Sequence, residues 1–268
     1  MMNKNVLVIF YSQTGQLREI IMNIFSHLRI DIDFCEIKTP QYNFPLNWNY
    51  MFEMFPESVL QTPCKISYNL PLKEYDTIVI GFQTWFLNIS LPIYTFSLTE
   101  DFKTLVKGKE VILIMDCRNS WRKSMDYMEK IVIANGGRIK SKHVFASIGG
   151  NILGSLAILK WFFTGNKISK YFPEPGVPQS EIDKSKSYGL NIINEYTNDV
   201  MFYPSNNNKL MPPEIETSIS KKFRWWANFI VKDQNNYRKI KLTLFKVWLA
   251  VALIIVSPLF KLFNNKNY

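Results

Sequence analysis

Five short apolar runs rich in β-branched residues, set apart by stretches with helical spacing, constrain this chain more than anything else in it. They stand at Val6 to Phe10, Ile32 to Ile37, Thr77 to Gly81, Val111 to Met115 and His143 to Ile148. Between them, Leu17 to Leu28 and Trp121 to Asn135 place apolar side chains three and four apart, and Gly136-Gly137 stops the second. Strands that are apolar on both faces and alternate with helices build parallel sheets covered on both sides. The expectation is a doubly wound α/β domain with five parallel strands over residues 1–150. Such a sheet holds its ligand beyond the carboxyl ends of its strands, where strand order reverses.

Residues 38–75 break the rhythm. From Gln41 they read QYNFPLNWNYMFEMFPESVLQTPC, with Phe44, Trp48, Tyr50, Phe52 and Phe55 set among prolines. A plain crossover seldom needs so many rings, so this is an aromatic-rich insertion able to roof a pocket, or a loop whose rings merely pack down. Past the fifth run, Asn151 to Phe163 is an almost wholly apolar helix candidate, and PQSE from Pro178 opens another that extends to Asp199. Residues 151–203 are thus expected to be a helical extension, and 204–220, which open on an Asn-rich stretch, a linker.

Charge gathers at the far end. From Lys221 onward there are ten basic residues and one acid, Asp233, so the first 220 residues carry about +1 although the whole chain carries +10. The pI of about 9.3 therefore describes a tail, and nucleic acid is not an expected partner. In that tail Phe223, Trp225, Trp226, Phe229 and Ile230 fall on one side of a helix among basic residues, which suits a membrane headgroup layer. Val247 to Phe260 adds 14 uncharged residues, about 21 Å of helix against a hydrocarbon core of about 30 Å. Leu242 to Phe263 would reach about 33 Å if Lys246 and Lys261 snorkelled, with Pro258 expected to interrupt the last turn. Residues 221–268 therefore read as a membrane-associating tail, an anchor or a single span, in competition with a buried C-terminal helix. The three tryptophans Trp225, Trp226 and Trp248 among those charges favour anionic lipid. Cys35, Cys64 and Cys117 lie far apart, and with His27 and His143 they give neither a disulfide framework nor zinc-site spacing, so no metal is expected. The first residues enter an apolar run with no basic leader and read as a strand. The expected location is the cytoplasm, on the inner face of the cytoplasmic membrane.

The first run passes directly into Ser12-Gln13-Thr14-Gly15-Gln16-Leu17-Arg18-Glu19, followed by a helix. A hydroxyl-rich turn with one glycine at a helix N-terminus presents several N–H groups and hydroxyls to one point, as a phosphate requires. No lysine follows the glycine and no G-x-G-x-x-G is present, which leaves a monophosphate as the natural guest.

YSQTGQ after the first strand, YDTIVIGFQTWFLNISLPIYTF (Tyr75 to Phe96) and GKEVILIMDCRNSW (Gly108 to Trp121) resemble the flavodoxin-like fold over about residues 4–148. The resemblance implies FMN as cofactor. Its phosphate would lie on Ser12, Gln13, Thr14, Gly15, Gln16 and Leu17, the last standing where flavodoxins usually have a hydroxyl. The isoalloxazine would lie between Gln83, Thr84, Trp85, Phe86, Leu87 and Asn88 on one side and Cys117, Arg118, Asn119 and Trp121 on the other, with Trp85 and Trp121 stacking. YSQTGQLREI, NFPLNWN, FPESVLQ, the CRNSW loop and WFFTGNK with FPEPGV are more closely similar to the flavin-dependent aromatase family of dialkylresorcinol and flexirubin biosynthesis, often labelled dialkylresorcinol condensing enzymes, over about 190 residues. That likeness implies oxidation of a lipid-like 2,5-dialkylcyclohexane-1,3-dione, made by a ketosynthase-like partner, to a dialkylresorcinol. The alternatives are a membrane-associated FMN-dependent NAD(P)H:quinone-type reductase, a flavodoxin-like electron carrier, or a redox or scaffold protein that has lost FMN. Tyr50, Glu53 and Glu57 are possible bases but none is singled out, and His143 is expected to satisfy a hydrogen bond.

Overall fold

The computed structural model describes residues 5–147, 152–205, 210–232 and 237–264, without the side chains of 48, 49, 152 and 253–264. The five expected strands are present as β1 (Asn5–Phe10), β2 (Asp31–Glu36), β3 (Thr77–Trp85), β5 (Glu110–Cys117) and β6 (Arg138–Ala146), and β3 folds back on a two-residue β4 (Asn88–Ile89). Ile148, the expected end of the fifth run, lies outside the described residues, as do Asn151 and Lys266.

The parallel sheet runs β2-β1-β3-β5-β6. Numbered along the main strands alone, this is the order 2-1-3-4-5, which is flavodoxin-like. A sixth parallel strand, β7 (Val200–Tyr203), pairs with β6 and corrects the expectation of five strands followed only by helices. Four half-buried residues at a sheet edge carry too little alternation to stand out in the sequence.

The period of two divides the core into layers. Leu7, Ile9, Ile78, Ile80, Phe82, Leu113 and Met115 point to one face, under α4 (Leu91–Ser97), α5 (Glu100–Val106) and α6 (Arg122–Ala134). Val6, Val8, Phe10, Val79, Ile112 and Ile114 point to the other, against α1 (Gln16–Phe25), α8 (Gln179–Lys184) and α9 (Gly189–Asn194). The first layer uses Met125, Met128 and Val132 of α6, and the second uses Leu17, Ile20, Ile21 and Ile24 of α1, which are the three- and four-residue spacings read above.

A third cluster joins the insertion to the tail. The insertion forms α2 (Trp48–Glu53) and α3 (Phe55–Leu60), and the tail forms α10 (Pro213–Val231) and α11 (Tyr237–Asn264). Leu46, Met51, Phe52, Phe55 and Val59 are buried against Ala227, Ile230, Leu242 and Phe245. Phe55 stacks on Phe245 at 3.8 Å between ring centroids. The face of α10 expected at headgroups is thus largely turned inward: Ile230 is buried and Phe223 and Trp226 pack on this cluster, while Trp225 stays exposed and stacks on Phe229. α10 also takes in residues 213–220, expected as linker, because Pro213 opens it and Glu214 and Glu216 favour its first turn. α11 continues through position 258 to Asn264, so Pro258 does not end it.

Candidate functional site

Four strands end at one cavity of about 300 Å³, at the low end of the roughly 300–1,000 Å³ of small-molecule sites. Gln13 and Thr14 follow β1, Gln83 to Phe86 close β3, Asp116 to Arg118 close β5, and Ser147 follows β6. The cavity therefore lies between β1 and β3, where the order of a 2-1-3-4-5 sheet reverses. Its roof comes from outside the sheet: Leu46, Met51, Phe52 and Met54 of the insertion, five residues of α7 (Ile152–Thr164) between Ser155 and Phe162, and Leu249 of α11. The insertion does roof a pocket, and Leu46 N–H donates to the Phe162 carbonyl at 2.7 Å to tie it to α7.

At the turn after β1, Gly15 takes a left-handed φ of 84° and caps α1 without a side-chain bond. The Ser12 hydroxyl accepts the Arg18 N–H at 3.2 Å, and Thr14 Oγ1 stands 3.5 Å from the Gln16 nitrogen. Among the described residues no acceptor is found for the N–H groups of Thr14, Gly15 or Leu17. A Cβ on Gly15 would meet nothing within 4 Å, so space lies above those donors. Unsatisfied N–H groups at the first turn of a ten-residue helix suit an anion. Two side chains of the turn serve the fold instead. Gln16 exchanges two hydrogen bonds with the backbone of Val177, and Leu17 is wholly buried in the core, so it can offer a ligand only its N–H.

Gln13 begins a buried relay. Its side chain accepts from the Tyr11 hydroxyl at 2.6 Å and donates to the Tyr42 carbonyl at 3.0 Å, and its N–H donates to Gln83 Oε1 at 2.7 Å. Gln83 Nε2 in turn donates to Asp116 Oδ2 at 3.1 Å. Burial pushes the Asp116 carboxyl up to about 6, against the opposing pull of the Gln83 hydrogen bond and of Lys167. Burial raises the neighbouring Cys117 thiol and lowers Arg118. Asp116 directly follows the apolar run Val111 to Met115 and no motif singles it out; it is the one carboxylate lining the cavity among the described residues. Of the bases considered earlier, Glu57 pairs with Arg238 at 2.6 Å, Glu53 is exposed, and neither they nor Tyr50 line it.

At the end of β3, Trp85 lines the cavity and is held edge-on by Tyr11 at 5.6 Å and Tyr42 at 5.2 Å. Phe86 and Leu87 turn the chain into β4 with φ of 47° and 67°, a conformation that glycine or asparagine normally supplies. Non-glycine residues hold it at a cost of order 1–3 kcal/mol each, typical of strain kept where a site needs it. Phe55 packs on Phe86 at 5.1 Å and locks the turn from the insertion.

The remaining expected positions do not line the cavity. Ser12 lines an adjacent depression beside Tyr42 and Phe44. Leu87 and Asn88 are buried, and Asn88 donates to the Phe86 carbonyl at 3.2 Å. The Asn119 carbonyl accepts the Met211 N–H. Trp121 stands outside the lining, edge-on to Phe202 at 5.0 Å with the Arg122 guanidinium 4.6 Å from its ring. The second indole in the lining is Trp161 of α7, and the fifth run's histidine is satisfied as expected, His143 meeting Ser141 at 2.9 Å and the Tyr203 hydroxyl at 3.2 Å. Among the described residues no group of three or more His, Cys, Asp or Glu is placed to hold a metal.

No family model matches the chain, and no curated protein matches it. Solved structures do resemble it. A flavoprotein in complex with FMN from Lactobacillus acidophilus NCFM is 19% identical, with 54% of this chain and 93% of that one covered and a TM-score of 0.44. Oxidised flavodoxin 1 of Bacillus cereus is 14% identical over 72% of this chain and 99% of its own, at 0.38. A Fusobacterium nucleatum flavodoxin variant bound to flavin mononucleotide is 11% identical over 72% and 98%, also at 0.38. At such scores the fold is carried by the chain's own strand order.

Proposed function

We propose that this chain is an FMN-dependent oxidoreductase that aromatises an apolar cyclic dione. The observation that carries the reading is one cavity lined by Thr14 of the turn with open N–H donors, by an apolar roof and by a buried carboxylate, Asp116. The donor set suits FMN: N–H groups of Thr14, Gly15 and Leu17 for the phosphate, and Trp85 with the strained Phe86 turn for a flat ring system. When bound, FMN supplies the acceptor for the hydride that the substrate ring loses on becoming aromatic.

The chain's own residues supply the rest. A ring C–H beside a carbonyl of the dione is acidified, and Asp116, ionised above about 6, would take its proton as hydride leaves the adjoining ring carbon. Gln83 fixes the orientation of that carboxylate and is itself fixed by the Gln13 N–H. Leu46, Met51, Phe52, Leu159 and Leu249 would keep water away and accept the alkyl chains. A 2,5-dialkylcyclohexane-1,3-dione from a ketosynthase-like partner fits this division, one proton and one hydride leaving before enolisation completes a dialkylresorcinol. A charge near +1 over the first 220 residues lacks the strong net acidity of electron-carrying flavodoxins and argues against that role.

Titration of the protein with FMN should quench tryptophan fluorescence to a saturating end point, and aerobic incubation with the dione should yield the resorcinol. Turnover of NAD(P)H with a quinone, and none of the dione, would assign the site to a reductase instead. Asp116→Asn should bind FMN as the parent does and lose kcat by about 10²–10⁴. The parent's kcat should rise with pH through about 6. Full turnover by Asp116→Asn would remove the carboxylate from the chemistry.

A further inference from the structure

Over Tyr237 to Ala252, where its side chains are described, α11 carries apolar residues on two faces, and only one of them is covered. Leu242, Phe245, Trp248 and Leu249 pack inward on the insertion. Tyr237, Ile240, Leu244, Val247 and Val251 follow the three- and four-residue spacing of one helix face and are 63%, 57%, 50%, 58% and 48% exposed. A helix with one apolar row buried and a second left open has two apolar contacts to make, and the protein supplies one of them.

The charges identify the other. Three tail cations point inward: Arg238 to Glu57, Lys241 Nζ to the Phe229 carbonyl at 2.8 Å, and Lys246 over the Phe52 ring at 5.0 Å. Lys221, Lys222 and Arg224 of α10, Lys232 just past its end and Lys239 of α11 are exposed, with Trp225 exposed among them, and Asp233 is the only acid beyond residue 220. A second copy of the chain would bring these five cations against five more. An anionic bilayer attracts them and takes up the apolar row. Among the described residues no helix is long and apolar enough to cross a membrane.

We propose that the Tyr237–Val251 face of α11 lies flat on an anionic phospholipid surface. The face is distinct from the α10 stripe, and it overlaps the start of the Val247–Phe260 segment that the sequence also marks for lipid. It is joined to the cavity, because Leu249 of α11 and Ile158, Leu159 and Phe162 of α7 line the roof while Leu153 and Leu156 of α7 are exposed. Docking would set that roof against the lipid in which an alkylated ring dissolves. The docking itself does not depend on the cavity holding flavin.

Sedimentation of the full chain with vesicles of phosphatidylcholine, alone or mixed with phosphatidylglycerol, tests the assignment. The parent should pellet with the anionic vesicles and bind neutral ones at least about tenfold more weakly. Ile240→Glu with Val247→Glu should weaken anionic binding at least about tenfold, whereas Leu72→Glu, at a fully exposed position elsewhere, should not. An environment-sensitive dye on Val247→Cys, in a Cys64→Ser background, should shift to the blue on anionic vesicles and gives a second readout independent of the charged variants. A parent that stays in the supernatant, a dye that does not shift, or equal losses for Leu72→Glu and the double variant would overturn the proposal. So would a parent dimer, seen by light scattering without vesicle binding, that the double variant dissolves.

Discussion

Two buried titratable side chains pull the pH dependence of stability in opposite directions. Asp116 has its folded value raised from the ordinary 3.8 to about 6, so its contribution is full below 3.8 and is lost as pH rises through about 6. His143 is lowered by burial from 6.5 to about 4, so its contribution is full above 6.5 and is lost as pH falls toward 4. At about 1.4 kcal/mol per pH unit, each amounts to about 3 kcal/mol across its window. The windows nearly coincide and the effects oppose each other, so the parent's melting temperature should change little between pH 4 and 6.5 on account of these two groups. Removing either unmasks the other. Asp116→Asn should melt progressively higher as pH rises over that range, and His143→Gln progressively lower. Thermal melts by circular dichroism at four pH values read this directly, and parallel profiles for all three proteins would refute it. Asp116 was not legible in the sequence because a carboxylate inside MDC reads as a strand end; its burial is a property of what packs over it. The choice between Trp121 and Trp161 was hidden for the same reason, since the path of the chain after β5 decides which indole reaches the cavity.

At the scale of elements, what could be read and what could not separates by how much of an element's burial its own pattern records. β1, β3 and β5 are apolar on both faces, and α1 and α6 carry unbroken three- and four-residue spacing, so the sheet and its cover followed from the sequence. β7 is half-buried along its length, and the inward turn of α10 depends on a partner more than a hundred residues away. The contact that seats α10 is equally non-local. α6 begins at Trp121 with no side-chain cap of its own, and Glu216 of α10 fills the place by accepting the Lys123 N–H at 2.9 Å. Lys123 Nζ returns a bond to Ser220 at 2.7 Å. A carboxylate at a helix N-terminus satisfies a donor and meets the positive end of the dipole, and burial raises the Glu216 carboxyl against those backbone bonds. Glu216→Ala should therefore cost about 1–2 kcal/mol, read as a lower denaturant midpoint, and should speed amide exchange in both α6 and α10. Exchange quickened in α10 alone would show that the glutamate does not cap α6.

For the whole molecule, the question is whether the tail is an appendage or part of the fold. The sheet is complete by Tyr203, and the two layers over it draw nothing essential from beyond residue 205. The roof is different: Leu46, Met51, Phe52, Phe55 and Val59 are buried because α10 and α11 lie on them. Full burial of one such side chain contributes about 1.5–3 kcal/mol, and an uncovered cluster of five is a patch of the kind that associates or binds lipid. A chain ending at Ser205 should keep the far-UV circular dichroism of its α/β sheet, melt at a lower temperature and bind a hydrophobic dye that the full chain does not. It should also keep the N–H donors of the turn after β1 and the Gln83–Asp116 pair, since neither touches the tail, while the cavity loses Leu249. FMN affinity should thus fall less than affinity for an alkylated ring substrate, as paired titrations of the full and shortened chains would report. A shortened chain that melts with the parent and stays silent to the dye would make the tail an independent attachment, and the cover of the insertion would then have to be sought elsewhere.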